Sequence, residues 1–500
     1  MSSYVLGADV GTSCLKVVLI HPERGVISKD EFSYQMNRPH AFWAENDAED
    51  WYIALTKAIP KVLITGGITA SDVAALCIVG QRDIGVLLDG DGEVLAPVIH
   101  WTDRRDPDQT HKFYDQVGRE ELIDRSGTLP IPGLLLPNLL WTKNNSPEIW
   151  ARVRHIVTPK DYLAYKLTGD IGTDPTGPTR STMNDWRNNS WCQKTCDAIE
   201  VPMEFLPEIK YKSWEPRGVL GKEATAIGLL PGTLLVAGGG DDPAAALGSG
   251  VIHPGDVSVG TGSSMSWRVV DSQPRHDPTG LIGLMPHVVP DAYLHEMVVV
   301  GSGTTLRWFR ETFTNNSTFE DLIANTSKIA RGSEGLLCYP FVEGATVPFQ
   351  DDNARATFYG ISGHHSTSHF VKSMLEAVAY QYPSLHEVIK SRGLSVGTLT
   401  ISDGEARSKI WNQIKADVLG LPITPAVHVE APAIGAGILA GIATNKFSTF
   451  EEAVEIVVET APPIYPDAES ENVYEKLRIE WEKIRDVVYP SLTSSSSQLK

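Results

Sequence analysis

Short apolar segments that alternate with polar clusters predict a mixed α/β fold. Residues 4–9 form an apolar run that ends in a carboxylate, and residues 15–20 alternate well enough to be its hairpin partner. Residues 257–267 repeat this pattern, with a Gly-Thr turn between two apolar runs, about half a chain later. The two copies favour a duplicated domain, and the alternative is two unrelated hairpins whose turns contain small residues.

Residues 234–247 carry the clearest chemical pattern in the chain. A buried strand runs into three consecutive glycines, then Asp241 and Asp242, then a helix that Pro243 opens. The glycines allow a substrate to approach the backbone, and Asp241 stands where strand meets helix, a suitable place for a general base. Either aspartate could instead serve only as the helix cap. One cap is enough for one helix, so the second aspartate favours function.

Polar residues also follow the predicted buried strand at residues 73–80. Such side chains between two apolar strands are unfavourable unless they bind something, and a sugar or polyol suits an Arg and Asp pair. An exposed turn with an internal ion pair is the alternative. Residues 98–105 repeat the transition and add an indole face for carbohydrate C–H bonds. The candidate sugar-binding residues in these two stretches are Gln81, Arg82, Asp83, Trp101 and Asp103.

Asp9 lies at the end of a buried strand, beside a Gly-Thr-Ser turn. A buried aspartate usually has a partner, and the natural partner here is the hydrated Mg²⁺ of a nucleotide, although Asp9 could also simply form the turn. Lys16 is then either a phosphate contact or a solvated strand residue. In the second half, the strand at 399–403 enters Gly404 before a helix, which points N–H donors at an anion. Residues 369–392 have the period of one long helix.

Length and charge limit the class of protein. A chain of 500 residues exceeds one core and predicts two domains of roughly 250 residues each. The net charge of −19 argues against nonspecific nucleic-acid binding. No apolar run reaches about 18 residues, and the N-terminus lacks a basic segment followed by an apolar one, so we expect no membrane span and a cytoplasmic location.

Taken together, these stretches resemble the FGGY family of carbohydrate kinases over nearly the whole chain. The most specific match is residues 356–361 followed by His369, Phe370 and residues 373–376. The resemblance implies an α/β fold of two ribonuclease-H-like (actin-like ATPase) domains with a cleft between them. Residues 1–248 would form the sugar-binding domain with the catalytic base, residues 249–488 the nucleotide-binding domain, and residues 489–500 a flexible tail.

The resemblance also implies the reaction, the transfer of the γ-phosphoryl group of ATP to a hydroxyl of a small sugar or polyol. Asp241 falls on the catalytic aspartate and, with Asp9, would hold Mg²⁺. Asp241 and Asp242 join the sugar-binding residues named above. The residues implied in ATP binding are Gly11, Thr12, Ser13, Lys16, Gly260, Thr261, Gly303, Gly404, Glu405 and Arg407.

Two departures from the family pattern matter. Asn138 stands where the family usually has Lys. Residues 403–408 replace the family's Gly-Gly-Gly-Ala-(Arg/Lys)-Ser loop, which puts Glu405 near the nucleotide. Its carboxylate would weaken nucleotide binding unless it points away or pairs with Arg407.

The sequence leaves the substrate open. Residues 81–83 resemble the Gln-Arg-Glu of glycerol kinases, whereas the rest of the chain, including residues 161–169, is nearer to xylulokinases. We therefore expect a ketopentose such as xylulose, with a glycerol- or erythritol-type polyol as the alternative. A non-catalytic actin-like sugar- or nucleotide-binding module is the alternative from another class. A homodimer would be ordinary for the family.

Overall fold

The structure is a computed structural model of the chain. It describes residues 3–40, 42–105, 107–128, 131–262, 264–315, 317–348, 350–351 and 353–490. Most of the predicted tail at 489–500 therefore lies outside the described residues. The strands are β1 Tyr4–Val10, β2 Cys14–His21, β3 Gly25–Ser33, β4 Glu45–Asn46, β5 Val73–Gly80, β6 Val86–Leu88, β7 Val98–Ile99, β8 His155–Val157, β9 Asn184–Asp185, β10 Ser190–Trp191, β11 Pro216–Val219, β12 Leu234–Val236, β13 Val257–Thr261, β14 Met265–Asp271, β15 Gly283–Pro286, β16 Tyr293–Val299, β17 Leu337–Tyr339, β18 Thr357–Tyr359, β19 Leu399–Ser402 and β20 Thr424–Pro425. The α-helices are α1 Ala48–Gly66, α2 Pro107–Val117, α3 Arg119–Ser126, α4 Leu135–Asn145, α5 Pro147–Trp150, α6 Pro159–Thr168, α7 Gln193–Ile199, α8 Asp241–Gly248, α9 Ser302–Phe313, α10 Phe319–Ala324, α11 Thr367–Ala379, α12 Tyr382–Ser391, α13 Lys409–Leu419, α14 Ala431–Ala443, α15 Phe450–Val457 and α16 Ala468–Val488.

The chain forms two compact units, and neither is one continuous segment. The first consists of Met1–Ile252, Ser272–Leu294 and Glu430–Val458, and the second of His253–Asp271, His295–Val429 and Glu459–Lys500. The domain boundaries drawn from the sequence remain predictions.

The first unit is built on a six-stranded sheet in the order β11-β12-β5-β1-β2-β3. The hairpin predicted from residues 4–20 is confirmed, since β1 and β2 pair antiparallel with Asp9 opposite Lys16. On the other side of β1, β5 runs parallel to it, and β12 runs parallel to β5. Three parallel strands therefore end at the same edge of this sheet.

Helices cover both faces of the first sheet. Apolar side chains that alternate along β1 and β2 pack on one face against α1 and α6, where Trp51 is fully buried. The opposite face packs against α8 and α14. Gly7 of β1 is required for this second contact, because a Cβ there would lie 2.0 Å from the carbonyl oxygen of Ala433 in α14.

The second unit repeats the strand arrangement of the first. Its sheet contains the order β16-β14-β13-β19-β20. β13 and β14 form an antiparallel hairpin, while β19 runs parallel to β13 and β20 parallel to β19. The same topology, a hairpin followed by parallel strands on its far side, confirms the duplication predicted from the two Gly-Thr turns.

One predicted helix is divided in two. The periodic stretch at 369–392 forms α11, which ends at Ala379, and α12, which starts at Tyr382. Pro383 explains the break, because it has no N–H to bond to the carbonyl of Ala379 and its ring would clash with that carbonyl.

Candidate functional site

The carboxyl ends of β1, β5 and β12 bring three of the predicted stretches together. The Gln81 N–H donates to the carbonyl oxygen of Val10 at 3.4 Å, and the Gly80 N–H donates to that of Gly239 at 3.3 Å. The Asp9 turn, residues 81–83 and Asp241 therefore meet at one edge of the first sheet, as expected where parallel strands end together.

Two of the three glycines before Asp241 allow the chain there to pack closely against β5 and Arg82. Gly238 has φ of 69°, and a Cβ there would lie 1.9 Å from the carbonyl oxygen of Ile78. A Cβ on Gly240 would lie 2.5 Å from Cδ of Arg82. Gly240 occupies the cap position of α8, and Asp241 Oδ1 accepts the Asp242 N–H at 3.0 Å within the first turn. The alternative in which an aspartate serves only as the cap is therefore wrong, because Asp241 and Asp242 both lie in the first helical turn.

Arg82 organises the two aspartates. Its buried guanidinium donates from Nη1 to Asp241 Oδ1 at 2.8 Å and to Asp242 Oδ2 at 3.1 Å. Burial and the neighbouring charge of Asp242 raise the pKa of Asp241 to about 6, although Arg82 opposes that rise. The sequence predicts Arg82 as a sugar ligand, and that role stays a prediction. Its observed contacts orient Asp241.

A buried cluster of Asp174, Thr176 and Thr179 holds Gly240 and Arg82 in place through hydrogen bonds. The Gly240 N–H donates to Thr176 Oγ1 at 2.7 Å, and Thr176 Oγ1 donates to Asp174 Oδ2 at 2.7 Å. Thr179 Oγ1 accepts from Arg82 Nε at 2.9 Å and donates to the carbonyl oxygen of Thr176 at 2.6 Å. Asp174 is fully buried and lies 3.2 Å from Lys160 Nζ. Thr176 thus touches both the glycine before the base and the threonine that holds Arg82.

Sequence reasoning gave these residues no role. The density of Thr and Ser between residues 173 and 182, after the charged Lys160 and Asp161, was the available signal. Burial alone would lower the pKa of Lys160, but Asp161 and Asp174 raise it, so the lysine stays charged in the interior.

Gln81 and Asp83, on either side of Arg82, differ in their surroundings. Gln81 is buried, and within the described part of the chain neither atom of its side-chain amide makes a hydrogen bond. A buried amide with open hydrogen-bonding capacity is what a polar ligand or water would satisfy. The Asp83 carboxylate lies 3.8 Å from Nε of Arg180.

Trp101 contacts the first Gly-Thr turn, whereas the hydrogen bonds of Asp103 go to Ala44 and Arg105. Trp101 Nε1 donates to Thr12 Oγ1 at 3.4 Å. The Asp103 carboxylate accepts from the Ala44 N–H at 2.7 Å, from the Arg105 N–H at 2.8 Å and from the Arg105 guanidinium. These protein donors already bond to the Asp103 carboxylate, which fixes the conformation of its loop and links that loop to Ala44. Its contact with a sugar stays a prediction.

The first Gly-Thr turn is tight and buried at its base. The Gly11 N–H donates to the carbonyl oxygen of Cys14 at 3.2 Å, and a Cβ on Gly11 would lie 3.0 Å from that oxygen. Asp9 is buried, whereas Ser13 is exposed at the tip. The Tyr34 hydroxyl, which sequence reasoning missed, donates to the carbonyl oxygen of Gly11. Asp9 and the open backbone therefore stand beside each other.

In the second unit, the predicted nucleotide residues lie on several elements. Gly260 and Thr261 end β13, and a Cβ on Gly260 would lie 2.0 Å from Oδ2 of Asp403. Gly303 lies in the first turn of α9. Gly404 opens a short 3₁₀ helix, Gly404–Arg407, that packs against β13.

The sequence placed the Glu405 carboxylate near the nucleotide, where its negative charge would weaken nucleotide binding. Its carboxylate is buried and pairs with Lys415 of α13, whose side chain is fully buried, while Arg407 is exposed. Of the two alternatives that the sequence left open, the pairing with Arg407 is not observed, and the Glu405 side chain turns inward to Lys415. Burial raises the pKa of Glu405 and lowers that of Lys415, and each charge opposes the shift of the other. The negative charge is thus offset inside the unit.

Comparison with known proteins decides the family. The model of the FGGY N-terminal domain matches residues 4–248, and the model of the FGGY C-terminal domain matches residues 255–444. The chain belongs to the FGGY family of carbohydrate kinases. It is therefore an ATP-dependent phosphotransferase with an alcohol group of a small carbohydrate as acceptor.

Individual relatives of this FGGY kinase agree. A xylulose kinase of Staphylococcus epidermidis is 30% identical over 483 residues, which cover 96% of both chains. A xylulose kinase of Bacillus subtilis is 27% identical over 474 residues, which cover 95% of both chains. The crystal structure of xylulose kinase from Rhodospirillum rubrum superimposes with a TM-score of 0.86 at 25% identity, covering 98% of this chain and 100% of that one. The expected two-domain, actin-like ATPase fold is confirmed.

Among the described residues of this FGGY kinase, no helix combines the length and the apolar character that a membrane crossing requires.

Proposed function

We propose that this FGGY kinase phosphorylates a ketopentose, with xylulose as the first candidate. The observation that carries the reaction is the Arg82–Asp241 pair, which holds a carboxylate with a pKa of about 6 at the carboxyl edge of the first sheet. The support for the substrate is similarity to xylulose kinases along almost their full length.

Asp241 is the proposed general base. The sugar hydroxyl oxygen forms a bond to the γ-phosphorus of ATP, the bond from that phosphorus to the β–γ bridging oxygen breaks, and Asp241 takes the hydroxyl proton. A carboxyl with a pKa of about 6 is mostly ionised at neutral pH and can accept this proton. Because the phosphoryl transition state is loose, the base chiefly holds the hydroxyl in line.

The residues present fit a nucleotide with a cation. Both Gly-Thr turns offer backbone N–H groups and a hydroxyl, and a Cβ on Gly11 would make a tight contact of 3.0 Å with the Cys14 carbonyl oxygen. Gly303, in the first turn of α9, adds N–H groups at a helix N-terminus. Asp9 and Asp241 are carboxylates suited to hold Mg²⁺, which when bound offsets charge on the β- and γ-phosphates.

Residues 81–83 support a second candidate substrate class, the short polyols. Their likeness to the glycerol-kinase sequence favours a short polyol such as glycerol or erythritol. Similarity to xylulose kinases along almost their full length favours the ketopentose.

The test is ADP release from the full chain with ATP and Mg²⁺ across xylulose, ribulose, gluconate, glycerol, erythritol, xylitol and ribitol. We expect the largest stimulation with xylulose. In Asp241→Asn we expect turnover to fall by about 100- to 10,000-fold, while ATP with Mg²⁺ still raises the melting temperature. Greater stimulation by glycerol or erythritol would move the assignment to a polyol kinase. Full turnover in Asp241→Asn would remove Asp241 as the base.

A cytoplasmic location and a homodimer remain expectations. Light scattering coupled to gel filtration measures the second directly.

A further inference from the structure

Glu334, His364 and His369 form a cluster in the second unit, separate from the residues assigned to sugar or nucleotide. Their candidate ligand atoms all lie within 4.8 Å of one another. Glu334 lies in the turn Ser333–Gly335, His364 in the loop before α11, and His369 in the first turn of α11. Two segments that are distant in sequence, the 333–335 turn and the loop that leads into α11, therefore converge on one point.

Two of the three distances between these atoms match a tetrahedral metal site. Glu334 Oε2 lies 3.5 Å from His364 Nε2 and 3.5 Å from His369 Nε2. Zn²⁺ binds imidazole nitrogen and carboxylate oxygen at about 2.0–2.2 Å, which places two ligands of a tetrahedron about 3.4 Å apart. Both distances fit this value without rearrangement of the backbone.

One of the nitrogens is buried with unused capacity. His369 is buried, and in the portion of the chain that the structure describes its Nε2 makes no hydrogen bond. A buried polar atom of this kind calls for a specific explanation. A metal ion between Nε2 and the Glu334 carboxylate supplies one.

Both imidazoles also have the outer partner that metal ligands usually have. His364 Nδ1 lies 2.8 Å from Ser362 Oγ, and His369 Nδ1 lies 3.0 Å from Ser366 Oγ. A ligating histidine normally donates its second ring N–H to such an oxygen, which fixes the ring orientation. The Ser366 N–H also donates to His369 Nδ1 at 3.0 Å, and this bond is given up when Nδ1 carries the proton.

We propose that Glu334, His364 and His369 bind one Zn²⁺, with water in the fourth position. Two imidazoles and a carboxylate select zinc over Mg²⁺, which prefers oxygen ligands. The bound ion ties the 333–335 turn and the loop before α11 to the helix and so stabilises the second unit.

The experiment uses the full chain after chelator treatment, with Mg²⁺ in excess. Zn²⁺ affinity is measured by competition with a chromophoric chelator, and Co²⁺ absorption reports the coordination geometry. We expect one Zn²⁺ per chain, a tetrahedral Co²⁺ spectrum and a higher melting temperature with Zn²⁺. His364→Gln and Glu334→Gln, which alter exposed side chains, should each weaken Zn²⁺ binding more than about tenfold.

The matched control is His365→Gln, in the same loop. His365 Nδ1 accepts the Ser362 N–H at 3.1 Å, its Nε2 lies 3.4 Å from the carbonyl oxygen of Glu334, and this ring is not a candidate ligand. Glutamine keeps an amide N–H that can donate to that carbonyl. Its variant should keep the wild-type zinc affinity. The proposal is overturned if the wild-type chain binds no Zn²⁺, if His364→Gln and Glu334→Gln bind it as the wild type does, if His365→Gln loses it equally, or if the Co²⁺ spectrum is octahedral.

Discussion

At the scale of single residues, the proposed base depends on what surrounds it. Burial raises the pKa of Asp241, the negative charge of Asp242 raises it further, and the positive charge of Arg82 lowers it. The result is a carboxyl group that titrates near the lower end of the neutral range, which the sequence could not show because it depends on tertiary packing.

This titration predicts a pH profile. Proton acceptance requires ionised Asp241, so kcat/KM should be constant above pH 7 and fall about tenfold per pH unit well below pH 6. Asp242→Asn removes a charge that raises the pKa of Asp241, and its inflection should move to lower pH. Steady-state kinetics between pH 4.5 and 8 test both statements. An unchanged or higher inflection in Asp242→Asn would contradict this account.

Thr176 gives a second prediction at this scale. Thr176→Val leaves the Gly240 N–H without its partner in the interior, which costs about 1–3 kcal/mol, whereas Asp174 Oδ2 still accepts from the Thr176 N–H and from Ser213 Oγ. We expect a lower melting temperature and a fall in kcat larger than any change in the KM for sugar, because the base is displaced. Thr176→Ser keeps the hydroxyl and should restore most of kcat. Equal kcat values in the two variants would show that the hydroxyl does not position the base.

At the scale of elements, the Gly404–Arg407 turn and α13 form a joined pair. Glu405 comes from the turn and Lys415 from the helix, and both are buried. Loss of one member of such a pair leaves an uncompensated buried charge, whereas loss of both can be nearly neutral.

A double-mutant cycle tests this pair. Lys415→Met should destabilise the protein by about 3–5 kcal/mol and raise the KM for ATP. Glu405→Gly combined with Lys415→Met should recover most of both losses, because no buried charge remains. Urea unfolding and ATP kinetics provide the two readings. If the double variant is as impaired as Lys415→Met alone, the two residues do not act as a pair.

Whether a feature could be predicted depends on how far apart in the sequence the interacting residues lie. The β1–β2 and β13–β14 hairpins and the Asp241 junction depend on local pattern, and the sequence predicted them. Lys415 was not considered as a partner of Glu405, because Arg407 is nearer in sequence whereas Lys415 meets Glu405 only after α13 folds. Thr176 was overlooked for the same reason, since its contact with Gly240 spans 64 residues.

At the scale of the molecule, α14 completes the first unit although it lies far along the chain. Its contact with α8 is made by backbone, since a Cβ on Gly435 would lie 2.0 Å from the carbonyl oxygen of Ala244. The small residues at 431–437 make this close approach possible. Their partners, β1 and α8, were beyond sequence reasoning.

Gly435→Ala should therefore destabilise the protein by about 1–3 kcal/mol through overpacking, even though alanine favours a helix. Because α8 begins at Asp241, kcat should fall as well. Gly221→Ala is the control, since a Cβ there meets only an ordinary contact of 3.6 Å with Leu167. Chemical denaturation and kinetics of both variants make the comparison. Equal stability of the two would show that α14 tolerates displacement.

The position of α14 also bears on biosynthesis. The ribosome makes β1 long before α14, which follows only after residue 430, with most of the second unit in between. Until then, the apolar face of β1 that receives α14 has no native cover. Final closure of the first sheet must therefore wait for a late part of translation, and a nascent chain stalled before residue 430 should recruit chaperones that recognise exposed apolar strands.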